Sequence, residues 1–287
     1  EAFSTYNGLF VAIGNAGTLM GAAPLAWLTV MAGWRLVFAG LAIAAVLLAG
    51  LCWLFAGKRR SRAVPDSELA NEPGSNRNVI RSRELWLLAF FLFTKYGSQV
   101  AFQGLWGAPY IASVYGVSHT AAAAAVTMVA AGYVVAAPAM GKLADSMAAR
   151  GMDIIVAQRR LLIVTTLVYV MTWAPIVLAP GLLPLSFMYV LLFLMGLSVS
   201  SASLVFGIAT SLFPSNVSGL AIGLVNVTSI LGGAAMPPVV GWSIQRLTAT
   251  GLQGGAVYSR ALGPCLAAAA VSFTLMLMVR RPKTAEL

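Results

Sequence analysis

The sequence predicts an all-α polytopic membrane protein with eight transmembrane helices, and three observations carry the prediction. Of its 287 residues, 60% are hydrophobic and only 9% are charged, whereas a soluble domain is about a quarter charged and about half apolar. The charges gather in short runs between apolar stretches of about 20 residues, the length that crosses a hydrocarbon layer. Those runs are mainly basic, and they sit on alternate sides of the expected spans. Composition therefore excludes a water-soluble globular protein. It also excludes a disordered chain, which would be poor in hydrophobic residues.

The first apolar stretch, Gly8–Val30, ends at Gly33-Trp34-Arg35. No basic segment or small-residue cleavage site precedes it, so it reads as a span rather than a signal peptide. The second, Leu36–Ala56, stops at Lys58-Arg59-Arg60. Residues 57–84 hold Pro65, Pro73, Gly74 and charges of both signs, and are expected to be a flexible inter-domain loop. Leu85–Ile111 is the third span and Ala121–Met140 the fourth. The 85 residues between Arg160 and Arg246 contain no Asp, Glu, Lys or Arg, a length that holds three spans. Turns at Pro180-Gly181 and at Phe213-Pro214-Ser215-Asn216 divide them into Leu161–Ala179, Leu182–Leu212 and Leu220–Trp242. The last span, Ala261–Val279, is closed by Arg280-Arg281.

With eight alternating spans, the loop after the second span, the loop after the fourth and the C-terminal tail share one face, with 7, 4 and 3 Lys+Arg. The other face carries Arg35, Arg246 and Arg260. This asymmetry makes the basic face, and with it the C-terminus, cytoplasmic. The net charge of +10 is therefore mostly a topology signal rather than a nucleic-acid footprint. Cys52 and Cys265 are too few for a disulfide framework and read as small core residues. A single histidine, His119, falls in a loop, so no metal cluster is expected.

The first and seventh spans align without gaps. Gly8, Leu9, Asn15, Gly21 and Ala23 match Gly219, Leu220, Asn226, Gly232 and Ala234. Such a repeat makes residues 1–56 the last two helices of one half, 57–84 the cytoplasmic inter-half loop, and 85–287 a complete second half of six helices. The first four helices of the first half would then precede the chain.

Two six-helix halves joined by a long loop resemble the major facilitator superfamily of secondary transporters. The segment from Gly141 to Arg150, Gly-Lys-Leu-Ala-Asp-Ser-Met-Ala-Ala-Arg, resembles that family's loop motif. Gly14-Asn15-Ala16-Gly17 with Gly21 and Pro24 resembles its fifth helix, though Gly21 is not followed directly by proline as in the antiporter signature. The resemblance implies helices 5–12 of a twelve-helix fold, and alternating access about a central site between the halves. It also implies a gate made by Gly141, Asp145 and Arg150, with the Asp145 carboxylate capping a neighbouring helix and pairing with a cation.

Lys95 is the sharpest single feature, the one cation inside a span. It lies eleven residues past Glu84, about 16 Å into the layer at 1.5 Å per residue. A cation there costs about 2.5–3.5 kcal/mol and ordinarily faces a cavity or a counter-ion. No span contains an interior Asp or Glu. Three roles stay open: binding an anionic solute group, pairing with a carboxylate on the preceding helices, or packing. Gln99, Gln103, Trp106 and Tyr110 follow at spacings of three and four, and are expected to line a pore with Lys95. Asn15 and Asn226 are expected to face the central cavity or to bond between helices. The serines at 198, 200, 201 and 203 are set aside, since serine in a membrane helix bonds its own backbone.

These features point to a permease of the cytoplasmic membrane that moves a small solute, with an organic anion favoured by Lys95. Its partners would be the solute, the bilayer and the preceding helices of the same protein. No cofactor, metal, nucleic acid or catalytic residue is expected. The competing readings are a transport-dead remnant and a multi-span enzyme, for which no nucleophile, metal cluster or acid–base pair is found.

Overall fold

A computed structural model of the chain describes residues 28–29, 31–56 and 76–279. They belong to two compact units, one drawn from residues 1–71 and one from residues 72–287. The described elements are helical, with no strand among the described residues. Seven of the helices are long and apolar enough to cross a membrane. All of the span expected at Gly8–Val30 except Leu28 and Thr29 lies outside the described residues, as do Asn15, most of the loop expected at 57–84 and Arg280-Arg281.

In the first unit, α1 (Trp34–Ala56) runs for 23 residues, about 35 Å at 1.5 Å per residue. It is apolar on every side, and Trp34 at its start stacks under the Arg35 guanidinium (5.3 Å) and against Phe38 (6.4 Å). An aromatic–arginine pair at a helix end is the side-chain chemistry of a membrane interface.

The second unit begins with α2 (Asn76–Arg81), which lies within the stretch expected to be loop. Val79 is fully buried against the following helices, and that contact organises the turn. Then come α3 (Arg83–Val100), a π-helical stretch (Ala101–Trp106) and α4 (Gly107–Tyr115), which form one continuous span. α5 (His119–Ala149) and α6 (Ile154–Leu178) are the next two. His119 is thus the first residue of a helix rather than a loop residue. The sixth expected span is two helices, α7 (Leu185–Ser200) and α8 (Ser203–Ser211), broken at Ser201-Ala202. α9 (Ser215–Ala249) is the longest at 35 residues. α10 (Gly255–Ala261) and α11 (Gly263–Met278) close the unit.

Helix starts are capped as their sequences dictate. Ser82 accepts from the Leu85 amide (3.4 Å), Ser118 from Ala121 (3.3 Å), and Asp153 from Ile155 (2.9 Å) and Val156 (3.1 Å). At the C-terminus of α11, Arg159 donates to the Leu277 carbonyl (3.1 Å), placing a cation where the helix dipole is negative. The π stretch also has a local cause. Pro109 has no amide to continue the i→i−4 ladder, and the Gly107 amide reaches back to Phe102 instead. A Cβ on Gly107 would lie 2.7 Å from that same Phe102 carbonyl, so this turn requires glycine.

Two glycine seams hold the helices together. α5 and α7 interlock reciprocally: a Cβ on Gly132 would fall on the Phe193 carbonyl, and one on Gly196 on the Val129 carbonyl. α3 and α9 meet at Gly97 and Gly232, where a Cβ on Gly97 would sit 2.7 Å from the Gly232 carbonyl. Lipid supplies no hydrophobic drive between helices, so close backbone approach is what joins them. Replacing Gly132 or Gly196 by alanine is expected to cost about 1–3 kcal/mol in unfolding titrations of the purified protein. Gly219→Ala and Gly223→Ala, at positions with nothing within 4 Å, should leave stability unchanged or slightly raised.

Candidate functional site

Three helices turn polar at one depth. The buried apolar residues form two clusters. Near the basic end lie Leu85, Leu88, Phe91 and Leu92 of α3, Leu162 of α6 and Leu204, Val205 and Ile208 of α8. Toward the other end lie Phe102 and Tyr110, Tyr169, Trp173 and Ile176 of α6, and Leu192, Met195 and Val199 of α7. Between them sits a belt of buried polar residues: Lys95 and Ser98 from α3, Thr165 and Thr166 from α6, Ser200 and Ser201 from the helix break.

Lys95 lies at the centre of this belt, 1% exposed. Its ammonium donates to Thr166 Oγ1 (3.1 Å) and Ser201 Oγ (3.4 Å). Its remaining sides face the rings of Phe91 (5.3 Å) and Tyr169 (5.5 Å). Among the described residues no carboxylate takes part. Hydroxyl dipoles and the negative ring faces are therefore what replace water around the charge. The shell is itself braced. Thr165 donates to Ser201 Oγ (2.7 Å), Ser98 Oγ and Tyr169 Oη lie 2.8 Å apart, and Tyr169 also donates to the Lys95 carbonyl (3.2 Å).

The five residues expected to line a pore do not form one surface. Gln99 and Gln103 stay together, Gln99 Nε2 donating to Gln103 Oε1 (2.8 Å), and both are half-buried. Gln99 Oε1 is a buried acceptor without a partner. Beyond them the π stretch shifts the register of the side chains. Trp106 turns to α9 and donates to the Pro237 carbonyl (3.1 Å). Tyr110 belongs to the core, fully buried, its hydroxyl donating to the Ile176 carbonyl (3.0 Å). The i, i+4 extrapolation failed because one wide turn moves every later residue around the axis.

Asn226 is exposed on α9 and makes no side-chain hydrogen bond among the described residues, so inter-helix bonding within this unit is not its role. Its counterpart Asn15 lies outside the described residues. The Gly141–Arg150 motif is helical here, forming the last turns of α5 and its C-cap. Nothing between Lys142 and Ala149 breaks a helix, and the chain turns only at Gly151, whose φ is 88°. Asp145 and Arg150 are both exposed, and Asp145 has no hydrogen bond or ion pair among the described residues. The helix-capping carboxylate at this end is Asp153, which caps its own helix.

Sequence reasoning missed Thr166, Tyr169 and Ser201 as the partners of Lys95. Ser198, Ser200 and Ser203 do bond their own backbone, as expected. Ser201 does both, since the helix break points its hydroxyl at Lys95 while it still donates to the Ser198 carbonyl (2.8 Å). A run of hydroxyls in an uncharged stretch, opposite one buried cation, was the available signal.

A family model described as the Major Facilitator Superfamily matches residues 1–237. No curated protein matches the chain.

Two adjacent serines test the belt. Ser201→Ala removes an acceptor from a buried cation and is expected to cost about 1–3 kcal/mol. Ser200→Ala, which loses only a bond to the Leu197 carbonyl, should change stability by under about 0.5 kcal/mol. Thermal unfolding of both variants in one detergent measures the difference.

Proposed function

Because the chain belongs to the Major Facilitator Superfamily, and is thus a multi-pass membrane transporter, we propose that it moves a small organic anion across the cytoplasmic membrane by alternating access. In this reading residues 1–56 end one half, 57–84 join the halves, and 85–287 form the other. The basic face and the C-terminus are cytoplasmic, as the distribution of Lys and Arg supports.

The observation that carries the anion is the shell around Lys95: a buried ammonium held only by neutral groups among the described residues. A charge-assisted bond from ammonium to carboxylate is roughly twice as strong as one to a neutral hydroxyl. An anionic group reaching Lys95 therefore displaces Thr166 and Ser201 at a gain. In the described conformation the ammonium is enclosed, so access requires the polar belt to part. The α7–α8 break is the place for it, because Ser201 is both a ligand of Lys95 and the C-cap where the helix ends. Gln99 and Gln103, next along α3, offer amide groups to the rest of the solute, with the unpartnered Gln99 Oε1 as an acceptor. Asn226, exposed on a membrane-spanning helix, suits a wet surface better than lipid. Trp106 and Tyr110 act by holding this segment to α9 and α6. Gly141, Asp145 and Arg150 form the gate on the basic face, with Asp145 pairing in another conformation.

Uptake by proteoliposomes, screened over monocarboxylates and dicarboxylates, tests this reading. Lys95→Met keeps the volume and removes the charge. It is expected to lower uptake of the transported anion at least about tenfold while leaving thermal stability unchanged or higher, since apolar replacement of a buried charge is often neutral or stabilising. Full uptake by Lys95→Met removes the anion site. For the gate, Asp145→Asn is expected to shift the accessibility of cysteines engineered on the basic face toward a thiol reagent, and unchanged labelling rates would count against it.

A further inference from the structure

The bond between Gln99 and Gln103 leaves an acceptor and donors standing side by side. A primary amide offers two N–H donors and one carbonyl acceptor. Here Gln99 Nε2 donates to Gln103 Oε1 (2.8 Å), and no other hydrogen bond engages either side chain among the described residues. The pair therefore still presents the Gln99 oxygen, buried and unpartnered, and the Gln103 N–H groups. Turning both amides over keeps the bond, reverses its direction and gives the same inventory with the residues exchanged. Nearby hydroxyls settle their protons locally, Ser198 on the Leu194 carbonyl (2.8 Å) and Thr172 on the Tyr169 carbonyl (2.7 Å). The two amides do not return to their own backbone in this way. A buried acceptor left unpaired is costly, and hydrocarbon supplies no donor. A donor brought by an entering solute removes that cost.

Gln99 follows Lys95 by four residues on the same side of α3, before the π stretch begins. The rise between them is about 6 Å. A solute held by its carboxylate at Lys95 thus brings whatever lies one helical turn away to the amide pair. On the basis of that role of Lys95, we infer that the transported anion is a monocarboxylate carrying an uncharged hydroxyl or carboxamide, and that Gln99 and Gln103 select it. A hydroxyl or a carboxamide donates and accepts at once, so it satisfies both residues. A second carboxylate accepts only and meets the Gln99 oxygen. An ammonium donates only and meets the Gln103 N–H groups. A methyl group leaves the buried acceptor unpaired.

Proteoliposomes of the full-length protein test this with matched acids of three to six carbons that differ only at the far end. The end is a methyl, a hydroxyl, a carboxamide or a carboxylate; for four carbons these are butyrate, γ-hydroxybutyrate, succinamate and succinate. At the best chain length, the unmodified protein is expected to take up the hydroxyl and carboxamide acids at least about tenfold faster than the other two. Gln99→Met/Gln103→Met should bring the hydroxyl-to-methyl ratio near one while uptake of the methyl acid persists, a change in selectivity that lost packing alone does not produce. Lys95→Met should lower uptake of all four together. Equal uptake of hydroxyl and methyl acids by the unmodified protein, or a preference for the second carboxylate, overturns the inference and leaves Lys95 as an anion site. A ratio unchanged in the double variant overturns selection by the amides. Uptake that survives Lys95→Met, or no uptake of any acid, overturns the anion site and the inference with it. Should the double variant fail to fold, the order of the four acids in the unmodified protein decides alone.

Discussion

In hydrocarbon every polar group must find its partner inside the protein, and this constraint organises the chain from helix ends to candidate site. The caps at Ser82, Ser118 and Asp153 answer it for amides. The hydroxyls of Ser198, Ser200 and Thr172 answer it by returning protons to their own helices. Lys95 is where the constraint is hardest to meet, because a charge rather than a dipole must be satisfied. The answer is collective. Three helices contribute hydroxyls and rings at one depth, and apolar clusters close over the belt from both sides.

Such a belt is tolerable only if the helices that carry it cannot drift apart. The Gly132–Gly196 and Gly97–Gly232 seams supply that rigidity by bringing backbones into contact. Against these fixed pairs stand two departures from regular helix, the π stretch at Ala101–Trp106 and the break at Ser201-Ala202. Both adjoin the belt. The unit thus combines close-packed seams with two places where the backbone is already off its ladder, an arrangement suited to motion localised around Lys95.

How much of this was legible in the sequence differs by level. The second to eighth spans were legible because charge scarcity and apolar run length are one-dimensional quantities, and helices appear at each place they indicated. Helix ends were less so: α5 continues through the motif read as a loop, since Ala, Leu, Met and Ser leave a helix no reason to stop before Gly151. Lys95 stood out by cost alone. Its partners did not, because Thr166 and Ser201 lie 71 and 106 residues away and nothing in their local pattern marks them. The stripe through Trp106 and Tyr110 was misjudged at one turn, where Pro109 and Gly107 change the helix period.

By itself, then, the sequence determined the solvent, the helical class, the positions of the seven later spans and the one charge that membrane burial makes expensive, since all follow from local composition and the length of a bilayer. The tertiary structure alone decided what surrounds that charge, which helices meet at glycine, and which polar side chains face the core rather than a path. Those outcomes depend on contacts between residues far apart in the chain and on a one-residue shift of helical register, neither of which leaves a periodic trace.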